Sequence, residues 1–256
     1  MIYITGDTHS DLYRFNNRTF PEQKEMTRKD TVIILGDFGG IWYQKDNKSA
    51  IISENHKLNE LENRNFTTVF IPGNHENYDR LFSDEFPTKE WNGGLVKEIR
   101  PHILMLMRGE YYTIEGKTFF AMGGASSHDI RDGILDNEDP RLKTKIKSLK
   151  RKGRYMYRIN HISWWTEEIP SEEEKKHAIE TLDKHNWACD YVLTHEAPAS
   201  IIPLIDLMYR ADNFAKWLET IRQKLTYKHW FFGHYHDNKN INPETHLLYE
   251  QIVRIV

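Results

Sequence analysis

Five short polar motifs, rich in Asp, Asn and His, are spaced along this chain of 256 residues, and most of them directly follow an apolar run. Carboxylate, amide and imidazole groups in one set suit Mn²⁺, Fe or Zn²⁺ better than Mg²⁺ or Ca²⁺. The set is large enough for two adjacent metal ions and leaves one histidine for proton transfer. The motifs are Gly6-Asp7-Thr8-His9, Gly36-Asp37, Gly73-Asn74-His75-Glu76, Thr194-His195 and Gly233-His234-Tyr235-His236.

A two-metal site of this composition predicts the hydrolysis of a phosphoester. Two ions about 3.5–4 Å apart hold a water between them and lower its pKa, so that a bridging hydroxide can attack phosphorus in line. The ions also neutralise charge on the phosphoryl oxygens. A histidine that binds no metal can protonate the leaving oxygen. A carboxylate can bridge the two ions, and Asp37 is the natural bridge.

The spacing within the motifs argues against a simpler interpretation, in which each Asp or His is a turn residue at the end of a strand. Asp7 and His9 are two residues apart, and so are His234 and His236. Residues two apart on an extended chain face the same side, so both members of each pair can reach one cluster. His9 alone would fit the simpler interpretation, but the combined set does not.

Short apolar runs rich in β-forming residues precede the motifs and must position them. Continuous apolar runs of this length are typical of strands buried on both faces. In an α/β sheet, ligand-binding groups gather beyond the carboxyl ends of such strands. The predicted strands are Ile2–Ile4, Val32–Leu35, Val69–Ile71, Tyr191–Leu193 and Trp230–Phe232.

Helical stretches alternate with these strands, so we predict an α/β sandwich of two mixed sheets. One helix covers Ser49–Leu61, with Ile51, Ile52 and Leu58 as its apolar side. A second helix is predicted from Ser171 to about Trp187, where Ser171 and Glu174 form a capping box at its start. A third helix is predicted over Asp212–Leu225. The remaining predicted strands are Ile103–Met107, Tyr111–Glu115, Lys117–Met122 and one or two closing strands within His246–Val256.

The segment from Ser126 to Pro170 fits this alternation least. We expect it to be an insertion packed near the site, within one domain that spans residues 1–256. Between Arg141 and Arg158, nine of the eighteen positions are Lys or Arg and none is acidic. With cations on phosphates and rings on bases, this segment could bind a nucleotide or RNA; the alternative is a solvated helix face. The rings are Tyr155, Tyr157, Trp164 and Trp165.

Composition sets broad limits on partners and compartment. The formal net charge of −3 gives no overall bias toward nucleic acid or membranes. The single cysteine, Cys189, cannot form an internal disulfide and fits a reducing compartment. No apolar stretch approaches the roughly 20 residues that a membrane-spanning helix needs. We therefore expect a cytoplasmic protein without a membrane partner.

The order of the motifs, from Asp7 to His236, resembles the calcineurin-like metallophosphoesterase superfamily in a bacterial or phage-type form. The resemblance implies a four-layer α-β-β-α sandwich with two divalent transition-metal ions at the sheet edge, Mn first and Fe, Zn or Ni as alternatives. It implies that one metal is held by Asp7, His9, Asp37 and His236, that the other is held by Asp37, Asn74, His195 and His234, and that His75 is the general acid.

The chain departs from the protein Ser/Thr phosphatase branch of that superfamily. There, the second motif carries a further Asp, which orients the catalytic histidine, and an Arg that grips phosphate. Gly40 and Ile41 stand at these two positions, and Ser10 stands where glycine usually follows the first histidine. Other cations must therefore bind the phosphate. Our candidates are His128 and Arg131, which follow the Gly123-Gly124 pair, and Arg154 and Arg158 from the insertion.

Two questions stay open at the level of sequence. The substrate could be a phosphomonoester or a phosphodiester, the latter including RNA if the basic segment binds it. The chain could also be a non-catalytic scaffold, a role in which some superfamily members lose metal ligands or the catalytic histidine. None of those residues is missing here.

Overall fold

A computed structural model describes residues 1–256 as strands and helices that alternate along much of the chain. None of the helices is both long enough and apolar enough to cross a membrane. The strands are β1 (Ile2–Thr5), β2 (Thr31–Ile34), β3 (Thr67–Phe70), β4 (Thr88–Trp91), β5 (Gly94–Arg100), β6 (Ile103–Leu106), β7 (Glu110–Ile114), β8 (Lys117–Met122), β9 (Gly133–Leu135), β10 (Tyr157–Ile159), β11 (Tyr191–Thr194), β12 (His229–Phe232), β13 (Lys239–Asn242), β14 (Thr245–Leu247) and β15 (Val253–Arg254). The α-helices are α1 (Lys48–Glu62), α2 (Tyr78–Leu81), α3 (Leu142–Arg151), α4 (Glu172–Lys184), α5 (Ile202–Ile205) and α6 (Asn213–Lys224).

Two large mixed sheets form the centre of the fold. The first has seven strands in the order β15-β1-β2-β3-β6-β5-β4, and the second has six in the order β13-β14-β12-β11-β8-β7. In each sheet four neighbouring central strands are parallel, and the antiparallel strands lie at the edges. The carboxyl ends of the parallel strands therefore lie along one edge of each sheet.

Three buried apolar clusters separate four layers, as an α-β-β-α sandwich requires. The cluster between the two sheets contains side chains from both, among them Ile4 and Leu193. A second cluster joins the first sheet to α1, and a third joins the second sheet to α4 and α6. The helix residues in these outer clusters include Leu58 and Leu61 of α1, Ala178 and Leu182 of α4, and Phe214, Leu218 and Ile221 of α6.

The strands predicted ahead of the motifs are confirmed, and so are the main helices and the capping box at Ser171 and Glu174. The predicted apolar side of α1 is partly wrong, because Ile52 is 70% exposed. The buried positions are Glu54, Leu58 and Leu61. Glu54 tolerates burial because its carboxylate pairs with Arg80 and accepts backbone N–H groups from the loop before α1.

The β4–β5 hairpin was not predicted. The residues of β4 are exposed or half-buried, and β5 is buried only at intervals. A strand at the edge of a sheet needs no continuous apolar run, so the signal that marks the central strands is missing from its sequence.

The segment from Ser126 to Pro170 contains elements of its own. Strands β9 and β10 form a separate two-stranded parallel sheet, and α3 between them has no buried residue. Trp165 is fully buried, and its indole N–H donates to Asp79 at 2.7 Å. Trp165 is therefore not available to stack on a base. Of the other three rings, Tyr155 is exposed, and Tyr157 and Trp164 are half-buried.

Candidate metal centre

The predicted ligands lie just beyond the carboxyl ends of the parallel strands of both sheets. Asp7, Asp37 and Asn74 follow β1, β2 and β3 of the first sheet. His195 and His234 follow β11 and β12 of the second sheet. Because the two sheets face each other, these loops converge on one point at the edge of the sandwich.

Asp7, His9 and His236 form the first part of the cluster. Their ring and carboxylate atoms face one another: His9 Nε2 lies 2.9 Å from His236 Nε2, and His236 Nε2 lies 3.2 Å from Asp7 Oδ2. The Asp37 carboxylate completes the group, with Oδ2 3.8 Å from His9 Nε2. Together these four residues form a group that could hold a metal ion.

Asp37 also faces a second set of side chains. Its Oδ1 lies 3.3 Å from His195 Nε2, which in turn lies 3.2 Å from Asn74 Oδ1. The other ring nitrogen of His195, Nδ1, donates to the Leu35 carbonyl at 2.6 Å, which leaves the lone pair on Nε2 directed at Asp37 and Asn74. The His234 ring follows at 5.0 Å from the His195 ring, centre to centre.

Two glycines are needed for these approaches. At Gly36, whose φ is +90°, a Cβ atom would lie 2.2 Å from His195 Nδ1. At Gly73 a Cβ atom would lie 2.2 Å from Asp37 Oδ1. Any larger residue at either position would displace a predicted ligand, so the glycines of these motifs are part of the site.

Several predicted ligands have a left-handed backbone conformation, which residues other than glycine rarely adopt. Their φ angles are positive: +45° at His9, +46° at Asp37, +71° at His234 and +49° at His236. Such conformations store strain, and they persist where surrounding contacts hold them. Here the Asp7 carboxylate accepts the backbone N–H of His234, and Asp37 Oδ1 accepts the backbone N–H of His75 at 2.7 Å.

The charges of the cluster fit divalent cations. Asp7 and Asp37 are at most 1% exposed, and neither carboxylate pairs with a Lys or Arg. A buried carboxylate that stays ionised is costly unless a cation pairs with it. The closest ligand atoms lie 2.9–3.3 Å apart, and ligands about 2.1 Å from one ion are roughly 3.0–3.4 Å from each other.

Without metal, the imidazoles are the only cations that can supply the missing charge. Burial opposes protonation of His195, but the carboxylates of Asp37 and Asp7 outweigh it and raise its pKa to about 10. Burial likewise disfavours the charged form of Asp37, yet His195 holds the pKa of Asp37 well below its ordinary value. A divalent cation would take over the role of the protonated ring.

His75 lies beside this cluster and contacts a residue of the insertion. Arg158 Nη2 lies 3.2 Å from His75 Nε2, and the Asp129 carboxylate holds the same guanidinium through contacts of 2.5 and 2.8 Å. Burial lowers the pKa of His75, Asp37 opposes that shift, and Arg158 adds to it. Arg158 and His75 therefore form one polar surface next to the predicted metals.

His128 is also brought to the cluster. Its Nε2 lies 3.2 Å from His234 Nε2, and its ring stacks on Tyr209. With Glu196 these two histidines form a second group that could hold a metal ion. Glu196 was not predicted, although it directly follows His195; it is buried, and its carboxylate accepts from the Tyr235 hydroxyl.

The structure does not bring Arg131 or Arg154 against the other predicted residues. Arg131 is exposed and forms no side-chain hydrogen bond or ion pair. The Arg154 side chain is 60% exposed and lies 3.9 Å from Asp132. Both stay predictions for contacts with a substrate.

A hydrogen-bonded chain behind Asn74 was also missed. Asn74 Nδ2 donates to Ser127 Oγ at 3.3 Å, and Ser127 Oγ donates to the Glu168 carboxylate at 2.6 Å. Glu168 accepts the Ser127 N–H as well, at 2.9 Å. No local pattern reveals this chain, because its three members are far apart in sequence.

One comparison with known proteins bears on this site. Residues 1–238 match a family model described as calcineurin-like phosphoesterase. No curated protein matches the chain.

Proposed function

The chain belongs to the calcineurin-like phosphoesterase family and is a metal-dependent phosphoester hydrolase, and on that premise we propose how its residues carry out the reaction. Water attacks phosphorus, and His75 gives a proton to the leaving oxygen. The observation that supports this most is the group formed by Asp7, His9, Asp37 and His236 beside His75. Asp37 contacts both halves of the cluster and fixes the backbone of His75.

The cofactor of the proposal is a pair of divalent transition-metal ions, Mn first and Fe, Zn or Ni as alternatives. Divalent ions supply Lewis-acid chemistry here: they acidify a water enough for attack at neutral pH, and they neutralise charge on the phosphoryl oxygens. Asp37, which faces both sets of side chains, would be the residue common to the two sites. Asp7, His9 and His236 would complete one set of ligands, and Asn74, His195 and His234 the other.

Arg158 takes the place of the phosphate-binding arginine that the second motif lacks. Its guanidinium offers several N–H donors in one plane, which suits phosphoryl oxygens. Asp129 holds Arg158 in place. An anionic phosphate next to His75 would offset the effect of Arg158 on the pKa of His75 and favour the protonated ring that an acid needs.

The remaining predicted contacts extend this proposal outward. His128 is close enough to His234 to reach a substrate bound at the metals. Arg131 and Arg154 are exposed and do not lie against the other predicted residues, so they would contact only a longer substrate. Within a single domain of residues 1–256, the insertion of residues 126–170 would act as a lid that carries Arg158.

The test is hydrolysis of 4-nitrophenyl phosphate and bis(4-nitrophenyl) phosphate by protein supplemented with Mn²⁺. Asp37→Asn is expected to lose both metal and turnover, whereas His75→Gln is expected to keep its metal and lose turnover. His56→Gln is the matched control, because His56 is 75% exposed on α1 and outside the cluster. Full activity of Asp37→Asn would contradict the proposal.

A second candidate narrows the substrate to nucleotides or RNA. The observation that favours it is α3, which has no buried residue and carries five Lys or Arg side chains in ten residues, with no acidic residue. Of the basic residues in and next to α3, Arg141, Lys145 and Arg154 lie near acidic partners. The other lysines of the segment have no carboxylate partner and could bind a phosphate backbone.

Salt dependence tests this second candidate. Binding of single-stranded RNA should weaken with added salt, with a slope of about 0.7 per phosphate contacted. Substituting Lys143, Lys147 and Lys150 by Gln should lower that slope. The matched control replaces three exposed lysines elsewhere, Lys176, Lys184 and Lys216. An equal loss in both triple variants, or no RNA binding by the unaltered protein, would count against a nucleic-acid role for α3.

A further inference from the structure

A cavity of about 240 Å³ opens beside His9 and His75. Its other lining residues are Ser10, Gly39, Trp42, Tyr43 and Lys57. It is smaller than the roughly 300–1,000 Å³ that is typical of sites for drug-sized ligands. The cavity would therefore enclose only part of a larger leaving group bonded to a phosphoryl group at the metals.

The aromatic wall of the cavity is rigidly supported. Ile41 is fully buried in the core, and the chain turns so that the next side chain, Trp42, lines the cavity. The backbone N–H of Trp42 donates to the buried Glu54 carboxylate at 2.8 Å. The Trp42 ring packs edge-on against the ring of Trp165 in the insertion. Its centre lies 6.0 Å from the His75 ring. Trp42 thus presents a fixed apolar surface next to the proposed acid.

Lys57 places a positive charge at the opposite side of the same cavity. It reaches over from the middle of α1, and its Nζ contacts the backbone oxygen and the Oγ of Ser10, both at 3.1 Å. No carboxylate pairs with Lys57, so its charge is not neutralised by the protein. An ammonium group with two neutral acceptors and one remaining donor can bind an anion.

Ser10 holds Lys57 at a conformational cost. Its φ angle is +63°, in the left-handed region that glycine adopts without strain. Glycine at this position would offer the same backbone oxygen to Lys57. What the serine adds is the Oγ acceptor, which fixes the ammonium group at the mouth of the cavity.

We propose that this cavity binds the leaving group and that the leaving group is itself a nucleotide. The inference rests on the proposed function, because the proton donated by His75 defines the side on which the leaving oxygen lies. The base would stack on Trp42 or Tyr43, and a second phosphate, on the leaving nucleotide, would bind Lys57. Both features line the same cavity.

The bonds and protons of the proposed reaction balance as in any ester hydrolysis. A new P–O bond forms from water, and the ester bond between phosphorus and the leaving oxygen breaks. The leaving oxygen takes the proton of His75, and the proton lost by the water returns to solvent or to His75. The released product is a nucleotide with a free hydroxyl group.

Substrate pairs that differ only in the second phosphate test the proposal. One pair is adenosine 3′-phosphate and adenosine 3′,5′-bisphosphate. The other compares thymidylyl-thymidine with the same dinucleotide carrying a terminal phosphate at either end. We expect the second phosphate to raise kcat/KM about tenfold in the unaltered protein, as a charge-assisted contact should. An effect in the adenosine pair would identify the substrate as a nucleoside bisphosphate. An effect in the dinucleotide pair would identify it as the end of a polynucleotide.

Variants of Lys57 tie the preference to the cavity. Lys57→Gln should reduce the ratio within a pair to near unity, while Lys57→Arg should retain most of it. Lys48→Gln is the matched control, because Lys48 is exposed on the same helix and does not line this cavity. It should keep the ratio of the unaltered protein.

Two results would overturn the inference. One is an unaltered protein that is indifferent to the second phosphate in every pair. The other is a Lys57→Gln variant that loses activity equally on both members of a pair, which would indicate a structural role. Failure to hydrolyse either nitrophenyl ester would instead remove the proposed function itself, so the two failures are distinguishable.

Discussion

The guanidinium of Arg158 lies 3.2 Å from the ring of His75, although 83 positions separate the two residues in sequence. Arg158 belongs to β10, in the small sheet of the insertion, and His75 follows β3 of the first large sheet. The segment from Ser126 to Pro170 therefore brings a guanidinium to the edge where the loops of the two large sheets converge.

Arg158→Ala should lower kcat/KM for aryl phosphates by roughly 100-fold, because the variant lacks a planar donor of several N–H groups beside the reacting phosphate. Arg158→Lys should recover only part of the loss, since an ammonium group does not reproduce that geometry. Steady-state kinetics with the Mn²⁺-loaded protein measure both effects. Arg222→Ala is the control, because Arg222 is paired with Glu219 on α6. A variant at Arg158 that retained full activity would exclude it from phosphate binding.

Chelation should lower the melting temperature as well as abolish turnover. The buried carboxylates of Asp7 and Asp37 have only imidazoles as cationic partners, so a cation that binds them would stabilise the folded state alone. Added metal at about 100 times its Kd should contribute about 2.7 kcal/mol per site. A thermal unfolding series across metal concentrations measures this. A melting temperature that does not respond to metal would argue against the site.

Gly36→Ala should destabilise the protein more than Gly116→Ala. Both glycines have positive φ angles, so each substitution costs about 1 kcal/mol of backbone strain. At Gly116 the added methyl group meets nothing within 4 Å, whereas at Gly36 it would lie 2.2 Å from His195 Nδ1. We expect a further loss of roughly 1–3 kcal/mol at Gly36, together with weaker metal binding. Urea unfolding and metal analysis of the two variants test the comparison, and equal losses would refute it.

Glu168 should make stability fall as the pH rises through the acidic range. Burial raises its pKa to about 7, against the opposing hydrogen bonds from Ser127. The folded state therefore binds more protons than the unfolded state between the ordinary carboxyl pKa near 4.5 and about pH 7. The contribution of Glu168 to the free energy of unfolding is fully present below that pH window and falls by up to about 3 kcal/mol across it.

Glu168→Gln isolates this contribution, because glutamine cannot titrate. The difference in free energy of unfolding between pH 5 and pH 7.5 should be smaller in this variant than in the unaltered protein. Glu180→Gln, at a side chain that is 54% exposed on α4, serves as the control. If the Glu168 and Glu180 variants gave the same pH profile, Glu168 would not be the titrating group.

The sequence predicted the central strands because each of them is a continuous apolar run, and the polar motifs were placed by their position after these runs. It could not reveal Lys57, since a lysine in the middle of a helix is an ordinary surface residue until the fold places it over Ser10. The buried Glu54 was missed for the same reason: its partner Arg80 lies on another element. Trp165 was assigned to base stacking from its neighbours in sequence, whereas its burial depends on Asp79 and Trp42.

The strained backbone at Ser10 has a consequence for protein engineering. Ser10→Gly would relieve the left-handed strain and remove one acceptor of Lys57 in a single step. A selection for thermal stability alone would therefore favour a glycine there and, if Lys57 selects the substrate, would erode selectivity unnoticed. Stability and discrimination are opposed at this position, so a useful library should screen both together.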